Sequence, residues 1–498
     1  MNDILLALKN FKYNKSQGKT IFQNTIIKNC LNGISKILFC LFTHILDFKQ
    51  IPNDMKISIV SPILKSGKNK NLFNSYRCVS VQMNIYRIFE LLLINKILPF
   101  IESHDIIPVQ QYGYRKGVSI SDIHIDMQKV IFNSLNNPKV RAIDIIFLDL
   151  SDAFDSVSHM RLLNKLHNYG ITGGLFDIIS DIFVNRKQIV KFNDFYSSES
   201  VVKSGVFQGA VLSPLFFNIY IADIIKDLNS DIFLFADDMS ILKIIYNESD
   251  CITLQNDLTK VYEFCIENSL KLNPNKSEVL RISFKNTNEF NYKINNNVIN
   301  NVSFHKHIGV IYDCKMSFNS HFDYIIQKAL KKFAILRVLC KRVNGLTFLR
   351  MYTTYILPIL EYCNLSVIPN KTQTIRLESV QRKVTKFICY KLCKTQLSYE
   401  QRLSLLNIYT LEKRRKIQLL IIVFKMRFKL HKYEYKWLNE ITFYETSRHG
   451  VFCEISLNKT ICDKSFYIYC SKLYNDLSKT IRCITTLNTF VKEINLFL

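Results

Sequence analysis

The spacing of apolar residues changes along this chain. Near the N-terminus it follows a helical period, through Ile4 and Leu8 and again through Ile34 and Leu38, which predicts a helical segment. In the centre, short apolar runs alternate with helical stretches, which predicts mixed strands and helices. After Phe318 the helical period returns. The pattern therefore predicts a mixed centre between helical ends.

Two short apolar runs flank a pair of adjacent carboxylates in the string DIFLFADDMSIL (231–242). The runs predict two strands joined at a tight turn that carries Asp237 and Asp238. Adjacent like charges raise each other's pKa unless a cation lies between them. Such a pair indicates either a solvated turn or part of a metal site, and the string alone leaves both interpretations open.

A third carboxylate follows a run that predicts a buried central strand. Residues 145–148 are apolar and partly β-branched, and Asp149 comes directly after them. A carboxylate there is costly without a partner. If this strand pairs with the predicted hairpin, Asp149 lies near Asp237 and Asp238. Such oxygen ligands suit Mg²⁺, and two ions held in this way clamp the attacking and leaving oxygens of a phosphoryl transfer. The alternative for Asp149 alone is a strand-end cap.

A glycine-rich stretch lies between these carboxylates. Gly205 and Gly209 flank Gln208, and glycines there let the backbone approach a base or a template strand closely. Gln208 offers both a donor and an acceptor. The alternative is a plain loop that enters a helix capped by Ser213, with Pro214 at its first position. Both interpretations can hold together.

Composition narrows the class of protein only in part. The chain has 498 residues and 48% hydrophobic content, which predicts several packed subdomains. Its net charge of +25 favours a polyanionic partner, although ribosomal or membrane-surface binding gives the same surplus. The 14 cysteines lack CxxC spacing and indicate reduced intracellular thiols. No signal peptide is evident, and the longest apolar stretch, 37–48, is expected to be too short to cross a bilayer.

Several strings in order resemble the motifs of one enzyme family. They are SPILKSGKN and NSYRCVSV (61–81), QQYGYRKGVS (110–119), FLDLSDAFDSVSH (147–159), GVFQGAVLSPLFFNIYI (205–221), FADD (235–238), LKLNPNKSEVL (270–280) and FHKHIGVIYD (304–313). Together they resemble the fingers and palm of reverse transcriptases, and more narrowly those of non-LTR (LINE-type, jockey-like) retrotransposons. Outside these strings, NFKYNKSQG (10–18) resembles the start of the family's N-terminal extension, and the thumb and the region after it are resembled by ILPILEYCNLSVIP (356–369) and LESVQRKVTKFI (377–388). The resemblance therefore extends over nearly the whole chain.

The resemblance implies a right-hand polymerase fold of the α+β class. Its palm is built on an antiparallel sheet between fingers and thumb, and an all-α C-terminal region follows. The implied division is a helical N-terminal extension (1–55), a reverse transcriptase domain (56–313; fingers 56–145, palm 146–313), a helical thumb (314–400) and a helical C-terminal region (401–498). The chain is expected to be the polymerase portion of a larger element protein.

The resemblance also implies the site residues. Asp149, Asp237 and Asp238, with the main-chain carbonyl of Leu150, would hold two Mg²⁺ ions, with Mn²⁺ as a possible substitute. Residues implied in nucleotide binding are Lys65, Arg77, Phe154, Gln208, Gly209 and Lys276. Phe154 would exclude the ribose 2′-oxygen or else belong to the core, and Lys276 would protonate pyrophosphate or else be a surface lysine. The primer grip would comprise His305, Lys306, His307, Ile308 and Gly309.

The implied activity is RNA-directed DNA synthesis. Its partners are an RNA template, a DNA primer and dNTPs, with no membrane, and the setting is intracellular, at the nuclear site of integration. The oligomeric state is open. The chain departs from the family pattern at Phe207 and Cys78, where proline is usual, and at Lys19 and Thr20, where the family usually carries an Asp after Gly18. The alternative is therefore a catalytically decayed or domesticated nucleic-acid-binding protein.

Overall fold

The protein was analysed as a computed structural model. It describes residues 1–498 except 21, 66, 136, 286–288, 395, 431–440, 447–449 and 456–465. The described helices are α1 Asn2–Asn10, α2 Asn24–Asn29, α3 Leu31–Phe48, α4 Asn84–Ser103, α5 Ile120–Leu135, α6 His159–Asn168, α7 Gly173–Phe183, α8 Ser213–Tyr220, α9 Glu248–Glu267, α10 Asn319–Leu339, α11 Gly345–Tyr355, α12 Leu357–Leu360, α13 Lys371–Lys391, α14 Tyr399–Leu406, α15 Leu411–Arg427, α16 Phe466–Asn475, α17 Lys479–Arg482 and α18 Leu487–Phe497.

Strands are concentrated between the N-terminal and C-terminal helices. They are β1 Ile57–Leu64, β2 Tyr76–Gln82, β3 Ala142–Leu148, β4 Leu150–Ser151, β5 Lys187–Phe192, β6 Phe195–Tyr196, β7 Ser200–Val201, β8 Asp231–Phe235, β9 Asp238–Ile245, β10 Lys271–Leu272, β11 Glu278–Ile282, β12 Lys293–Ile294, β13 Asn297–Val298, β14 Asn300–Val302, β15 Phe304–His307, β16 Val310–Asp313, β17 Ile441–Thr446 and β18 Gly450–Ile455. The mixed centre between helical ends matches the prediction.

The palm is a five-stranded sheet in the order β14-β11-β3-β9-β8. The strand β3 is central and pairs antiparallel with both β9 and β11. Its seven residues are all buried. Those on one face, including Ile146 and Leu148, pack in the core shared with the N-terminal helices. Those on the other face, including Ile145 and Phe147, pack in the core shared with the thumb helices. Burial on both faces explains why the sequence shows an unbroken apolar run.

A buried charge secures the middle of this sheet. Asp144 on β3 is fully buried and accepts two hydrogen bonds from Arg281 on β11, from Nε at 2.7 Å and from Nη2 at 2.6 Å. The hydroxyl of Tyr292 donates a third at 2.6 Å. A buried carboxylate is tolerated when it is paired and bonded in this way. The ion pair holds the register of β3, which ends immediately before Asp149.

The fingers sheet crosses the predicted boundary between fingers and palm. Its order is β2-β1-β5-β6, with β7 paired to β5. The strand β5 belongs by sequence to the predicted palm, yet it pairs in parallel with β1, Ile57 opposite Lys187. Parallel strands need a long connection, and the palm supplies it. The two predicted segments are therefore interleaved in space.

The N-terminal helix α3 differs from the expectation for its apolar stretch. It has 18 residues with a mean hydropathy of 1.3, which is long and apolar enough to cross a membrane by length and composition. The sequence analysis expected a stretch too short for this. One face, including Leu38, Phe42 and Ile45, is buried in the core. Core helices of soluble proteins pass the same test, so one such helix is weak evidence for a membrane segment.

The part of the chain after the palm is mainly helical. The helices α10, α11 and α13 pack around one core, and α15, α16 and α18 around a second. One element was not predicted, since β17 and β18 form an antiparallel hairpin in the region expected to be all-helical. The spacing of apolar and basic residues also predicts a helix over 412–432. The structure has α15 at Leu411–Arg427, and residues 431 and 432 lie outside the described part of the chain.

Candidate active site

The hairpin of β8 and β9 presents two carboxylates at its turn. Phe235 pairs with Asp238, so that Ala236 and Asp237 alone form the turn. Ala236 has a φ of 56°, the positive value that a two-residue hairpin requires of its first turn residue and that a non-glycine residue adopts at a cost. The predicted tight turn with aspartates is confirmed.

Asp149 lies beside this turn. Leu148, the last residue of β3, pairs with Met239, so Asp149 comes next to Asp238 on the adjacent strand. Asp149 is held by its backbone, because its N–H donates to the Ser277 hydroxyl at 3.3 Å and its carbonyl accepts from Asn273 N–H at 2.9 Å. The pairing that the sequence analysis made conditional is therefore present.

The negative charges of neighbouring carboxylates affect the pKa values of Asp237 and Asp238. Partial burial raises the pKa of Asp238 to about 6, and the negative charges of Asp237 and Asp149 contribute. The pKa of Asp237 is also raised, chiefly by burial, while its backbone hydrogen bond and the nearby Arg77 oppose the rise and Asp149 adds to it. Carboxylates that repel in this way are stabilised by a cation placed between them.

As the side chains stand, no three His, Cys, Asp or Glu residues in the described part of the chain form a cluster ready to hold a metal ion. Lys276 instead contacts the first carboxylate, with Nζ 3.3 Å from Asp149 Oδ2. The donor chemistry nevertheless fits a hard divalent ion, since Asp149, Asp237 and Asp238 offer carboxylate oxygens that repel one another. Both interpretations of Lys276 stay open, because the structure adds only this contact.

The fingers bring two basic residues toward the turn. Arg77 lies on β2 opposite Ile63, and Lys65 follows β1; both are exposed. The charge of Arg77 lowers the pKa of Asp237, which places the two groups within electrostatic reach. Cys78 occupies a position where the family usually has proline. Its pKa is raised, first by burial and then by the charges of Asp155 and Asp152, so Cys78 lies near the loop after Asp149.

Phe154, in the loop after Asp149, is half-buried. Its ring stacks on Phe217, with centroids 4.7 Å apart and planes at 14°, and meets Tyr114 edge-on at 6.4 Å. One part of the ring therefore packs on the core while another part remains accessible. Both predicted roles, core residue and sugar gate, stay open on this geometry.

The glycine-rich loop is fastened to the fingers and to the palm. Gln208 O accepts from Ser80 N–H at 2.9 Å, and Gln208 Nε2 lies 3.5 Å from Asp155 Oδ2. A Cβ on Gly209, whose φ is 119°, would lie 2.9 Å from Ser80 O. Glycine is therefore required for the close approach of this loop to β2. The expected cap differs, since Leu212 occupies the N-cap position without a side-chain bond and Ser213 is already helical.

The structure gives a physical account of Phe207, one of the departures from the family pattern. Its ring is buried, and the Arg186 guanidinium lies 3.5 Å from the ring centroid. The same guanidinium donates to Gly205 O. Arg186 thus covers the aromatic ring and holds the loop at once, through a cation–π contact and a hydrogen bond. The sequence analysis did not identify Arg186, and nothing in the local pattern marks it.

The predicted primer-grip residues form the hairpin of β15 and β16. His305 Nδ1 lies 2.6 Å from Glu278 Oε2, and its ring stacks on Phe147 at 3.8 Å. Lys306 is exposed, and its Nζ donates to Tyr324 OH at 2.9 Å. His307 points into the core and is 4% exposed. The sequence analysis placed His307 in the primer grip; its side chain, buried to this extent, packs in the core and is not open to a primer.

The turn of this second hairpin consists of Ile308 and Gly309. Both have positive φ, 42° and 85°. Tyr362 OH donates to Ile308 O at 2.8 Å. A Cβ on Gly309 would lie 2.7 Å from the Tyr362 ring, so the turn is pressed against that side chain.

The sequence analysis also missed a contact from the segment before α5. Gln111 is buried, and its Oε1 accepts from Ala236 N–H at 3.0 Å. The string QQYGYRKGVS carries the resemblance at this place, but nothing in it assigns a role to one glutamine. The residue acts across 125 positions of sequence.

Comparison with known proteins agrees with this arrangement. Residues 63–305 match the family described as "Reverse transcriptase (RNA-dependent DNA polymerase)". Among curated proteins, the probable RNA-directed DNA polymerase from transposon BS of Drosophila melanogaster is 24% identical, over 72% of this chain and 40% of that protein. The corresponding protein from transposon X-element of the same organism is 25% identical, over 75% and 42%.

The polymerase from mobile element jockey of Drosophila funebris is 26% identical, over 64% of this chain and 36% of that one. Residues 63–305 are therefore similar to reverse transcriptases, and the transposon relatives support the non-LTR, LINE-type class of these enzymes. The chain spans 40% and 42% of the length of the first two relatives. Reverse transcriptases generally use divalent metal ions. Among solved structures, apo telomerase from Candida tropicalis has a TM-score of 0.41 at 12% identity, over 78% of this chain and 67% of that one.

Proposed function

We propose that this chain is an RNA-directed DNA polymerase that extends a DNA 3′-hydroxyl on an RNA template. The observation that supports the proposal most is the position of Asp149 beside the Asp237–Asp238 turn on adjacent strands of the palm. Three carboxylates that repel one another favour bound divalent cations. Such cations suit a reaction in which negative charge moves between phosphate oxygens. The family match over residues 63–305 agrees with it.

In the proposed mechanism, two divalent ions would be held by Asp149, Asp237, Asp238 and the Leu150 carbonyl, with Mg²⁺ preferred and Mn²⁺ as a substitute. When bound, such ions supply charge neutralisation at the attacking and leaving oxygens. The nucleophile belongs to the primer, so the protein's task is to position the reactants.

The surrounding residues bind and orient the incoming dNTP. Lys65 and Arg77 contact the triphosphate from the fingers, Arg77 bidentately. Phe154 crowds the 2′ position of the sugar, while Gln208 and Gly209 line the pocket near the template. Lys276, which contacts Asp149 in this structure, would exchange that carboxylate for a phosphate oxygen.

A basic surface continues from the primer grip onto α10. A cavity of about 310 Å³ there is lined by Tyr324, Gln327, Lys328, Lys331, Lys332 and Ile335. Lys306 of the grip hairpin reaches the same tyrosine. Phosphate contacts of this kind position a duplex without reading its sequence. The helix α10 ends at Leu339, and Lys341 lies in the turn that follows.

We retain the division at residues 55, 313 and 400 as part of the proposal, with the fingers extended by β5–β7. We further propose that the protein acts inside the cell at nuclear sites of integration, on RNA template, DNA primer and dNTPs.

Primer extension tests the function. The purified full chain is given a DNA primer on an RNA template, dNTPs, and Mg²⁺ or Mn²⁺, beside Asp149→Asn and the exposed-loop control Asp194→Asn. We expect extension by the unmodified chain and by the control only. Absence of extension with either ion, while template–primer still binds, would overturn the proposal in favour of the decayed, nucleic-acid-binding alternative.

A further inference from the structure

The segment before α5 acts as a partial sixth strand on the palm. Leu234 of β8 donates its N–H to Gln110 O at 2.9 Å, and its carbonyl accepts from Tyr112 N–H at 2.8 Å. Gln111 thereby forms a parallel bridge with Leu234. The bridge covers the open edge of β8, which would otherwise present unpaired backbone groups. The segment thus reaches the turn that carries Asp237.

At the end of this bridge, one side chain caps the turn. Gln111 Oε1 accepts from Ala236 N–H at 3.0 Å and from Gly113 N–H at 2.8 Å. The two donors fix the orientation of the amide, since the opposite orientation would set donor against donor. Gln111 is 1% exposed, and its Nε2 has no hydrogen-bond partner among the described residues. The amide therefore leaves its own donor unpaired while it holds the turn.

The contact is close enough to require glycine at position 113. A Cβ on Gly113 would lie 2.4 Å from Ala236 N and 3.0 Å from Phe235 C. The carbonyl of Gly113 accepts from Asn218 Nδ2 at 2.9 Å, and Asn218 lies on α8, the helix after the glycine-rich loop. The loop helix, residues 111–113 and the catalytic turn are thus connected through buried hydrogen bonds.

We propose that Gln111 is a positioning residue that fixes the backbone of the Ala236–Asp237 turn and so sets where Asp237 presents its carboxylate. Ala236 has positive φ without being glycine, and such a conformation persists only where its surroundings determine it. A hydrogen bond to its N–H supplies that restraint. The contacts alone support the restraint of the turn by Gln111. The consequence of this restraint for metal binding and DNA synthesis rests on the proposed function.

Two variants disrupt the contact between Gln111 and the turn, one by removing the side-chain acceptor and the other by adding a Cβ at Gly113. Gln111→Met keeps the side-chain volume but removes the acceptor, and Gln110→Met is its control, because Gln110 contributes its carbonyl to the bridge. Gly113→Ala forces the segment away from Ala236, and Gly33→Ala is its control, since a Cβ there meets nothing within 4 Å. Either test variant is sufficient if the other fails to fold.

The first readout is amide hydrogen exchange of residues 232–240 in the full chain, which requires no activity. We expect exchange at the turn to rise about tenfold in both test variants, the effect of losing one buried hydrogen bond, with no change in the controls. Unchanged exchange at the turn in folded Gln111→Met and Gly113→Ala would overturn the proposal, whether or not the unmodified chain extends primers.

The second readout separates positioning from general destabilisation. The Mn²⁺ concentration for half-maximal thermal stabilisation of the protein, and that for half-maximal extension, should both rise about tenfold, while the KM for dNTP stays within about twofold. A purely structural role would lower the melting temperature without moving the Mn²⁺ dependence, and that result would also reject the proposal. If the unmodified chain binds Mn²⁺ but extends no primer, the proposed function fails while the exchange result still decides the role of Gln111.

Discussion

Two hairpins with two-residue turns carry residues of the proposed site. In the catalytic hairpin the turn is Ala236 and Asp237, and in the grip hairpin it is Ile308 and Gly309. Three of these four residues have positive φ, and two of the three are not glycine. Each turn is held by a side chain distant in sequence, Gln111 in the first and Tyr362 in the second.

The two hairpins differ in what the anchor contacts and in where their polar side chains point. Gln111 accepts from a turn N–H, whereas Tyr362 donates to a turn carbonyl. In the catalytic hairpin Asp238 is exposed and Asp237 is half-buried, and the charge of Asp237 helps to raise the pKa of Asp238. In the grip hairpin His307 faces inward, and burial lowers its pKa well below the usual value.

If the proposed function holds, this difference teaches that similar turns serve different tasks. The catalytic hairpin carries the charged side chains of Asp237 and Asp238, and its turn is held by a neutral side chain, that of Gln111. The grip hairpin uses its histidines for packing and leaves Lys306 and its backbone for contact. Changes at the first should therefore alter kcat, and changes at the second should alter binding of the primer–template.

The largest effect is expected from Asp237→Asn. Loss of one carboxylate at the catalytic turn removes several kcal/mol of transition-state stabilisation, which corresponds to about a thousandfold in kcat. Affinity for primer–template should change little, because the grip hairpin is untouched. Single-turnover extension and a binding titration measure the two quantities, with Asp194→Asn as control. Extension near the original rate would show that the turn is not the site of chemistry.

The second prediction concerns the sugar gate beside the catalytic hairpin. Phe154→Val should raise incorporation of ribonucleotides relative to deoxynucleotides by about tenfold or more, since a steric contact with one small group is worth roughly 1–3 kcal/mol. Phe154→Tyr keeps the ring and should leave the ratio unchanged. Some stability is also lost, because the ring stacks on Phe217. A ratio that does not move in Phe154→Val assigns the ring to the core alone.

The hairpin of β8 and β9 could be predicted from the sequence because both of its strands and its turn lie within residues 231–245. The apolar runs on both sides of Asp237 and Asp238 predicted the hairpin itself. The pairing of β3 with β9, which brings Asp149 beside Asp238, entered the sequence analysis only as a condition and was supplied by the structure. The inward direction of His307 was also available, since alternation places His305 and His307 on one face of β15 and Lys306 on the other. The primer-grip prediction did not use that periodicity.

The contacts that could not be predicted join distant segments. Gln111 and Ala236 are 125 positions apart. The local sequence pattern does not indicate whether Gln110 or Gln111 reaches the turn. Arg186 over Phe207 likewise joins two loops through one side chain. The parallel pairing of β5 with β1 depends on the whole palm between them. The hairpin β17–β18 differs, since its β-branched and aromatic residues offered a local indication.

The third prediction addresses the surface beyond the grip hairpin. Charge reversal to Glu at Lys328, Lys331 and Lys332 should weaken template–primer binding about tenfold and reduce the salt dependence by about two to three in log–log slope. All sequences should be affected about equally. Reversal at the exposed Lys36, Lys139 and Lys492 changes the net charge equally and is the control. If both triple variants behave alike, net charge governs binding and the α10 surface has no special part.

The smallest effect is expected from Tyr362→Phe, which removes the hydroxyl that donates to Ile308 O at 2.8 Å. A lost hydrogen bond of this kind costs about 0.5–1.5 kcal/mol. Because it supports the grip turn and not the catalytic one, the loss should appear as a threefold to tenfold rise, approximately, in the dissociation constant of primer–template, with kcat at saturation nearly unchanged. Tyr355→Phe, at an exposed tyrosine, is the control. A fall in kcat with unchanged binding would mean that the two hairpins share one task, and the distinction drawn between them would be wrong.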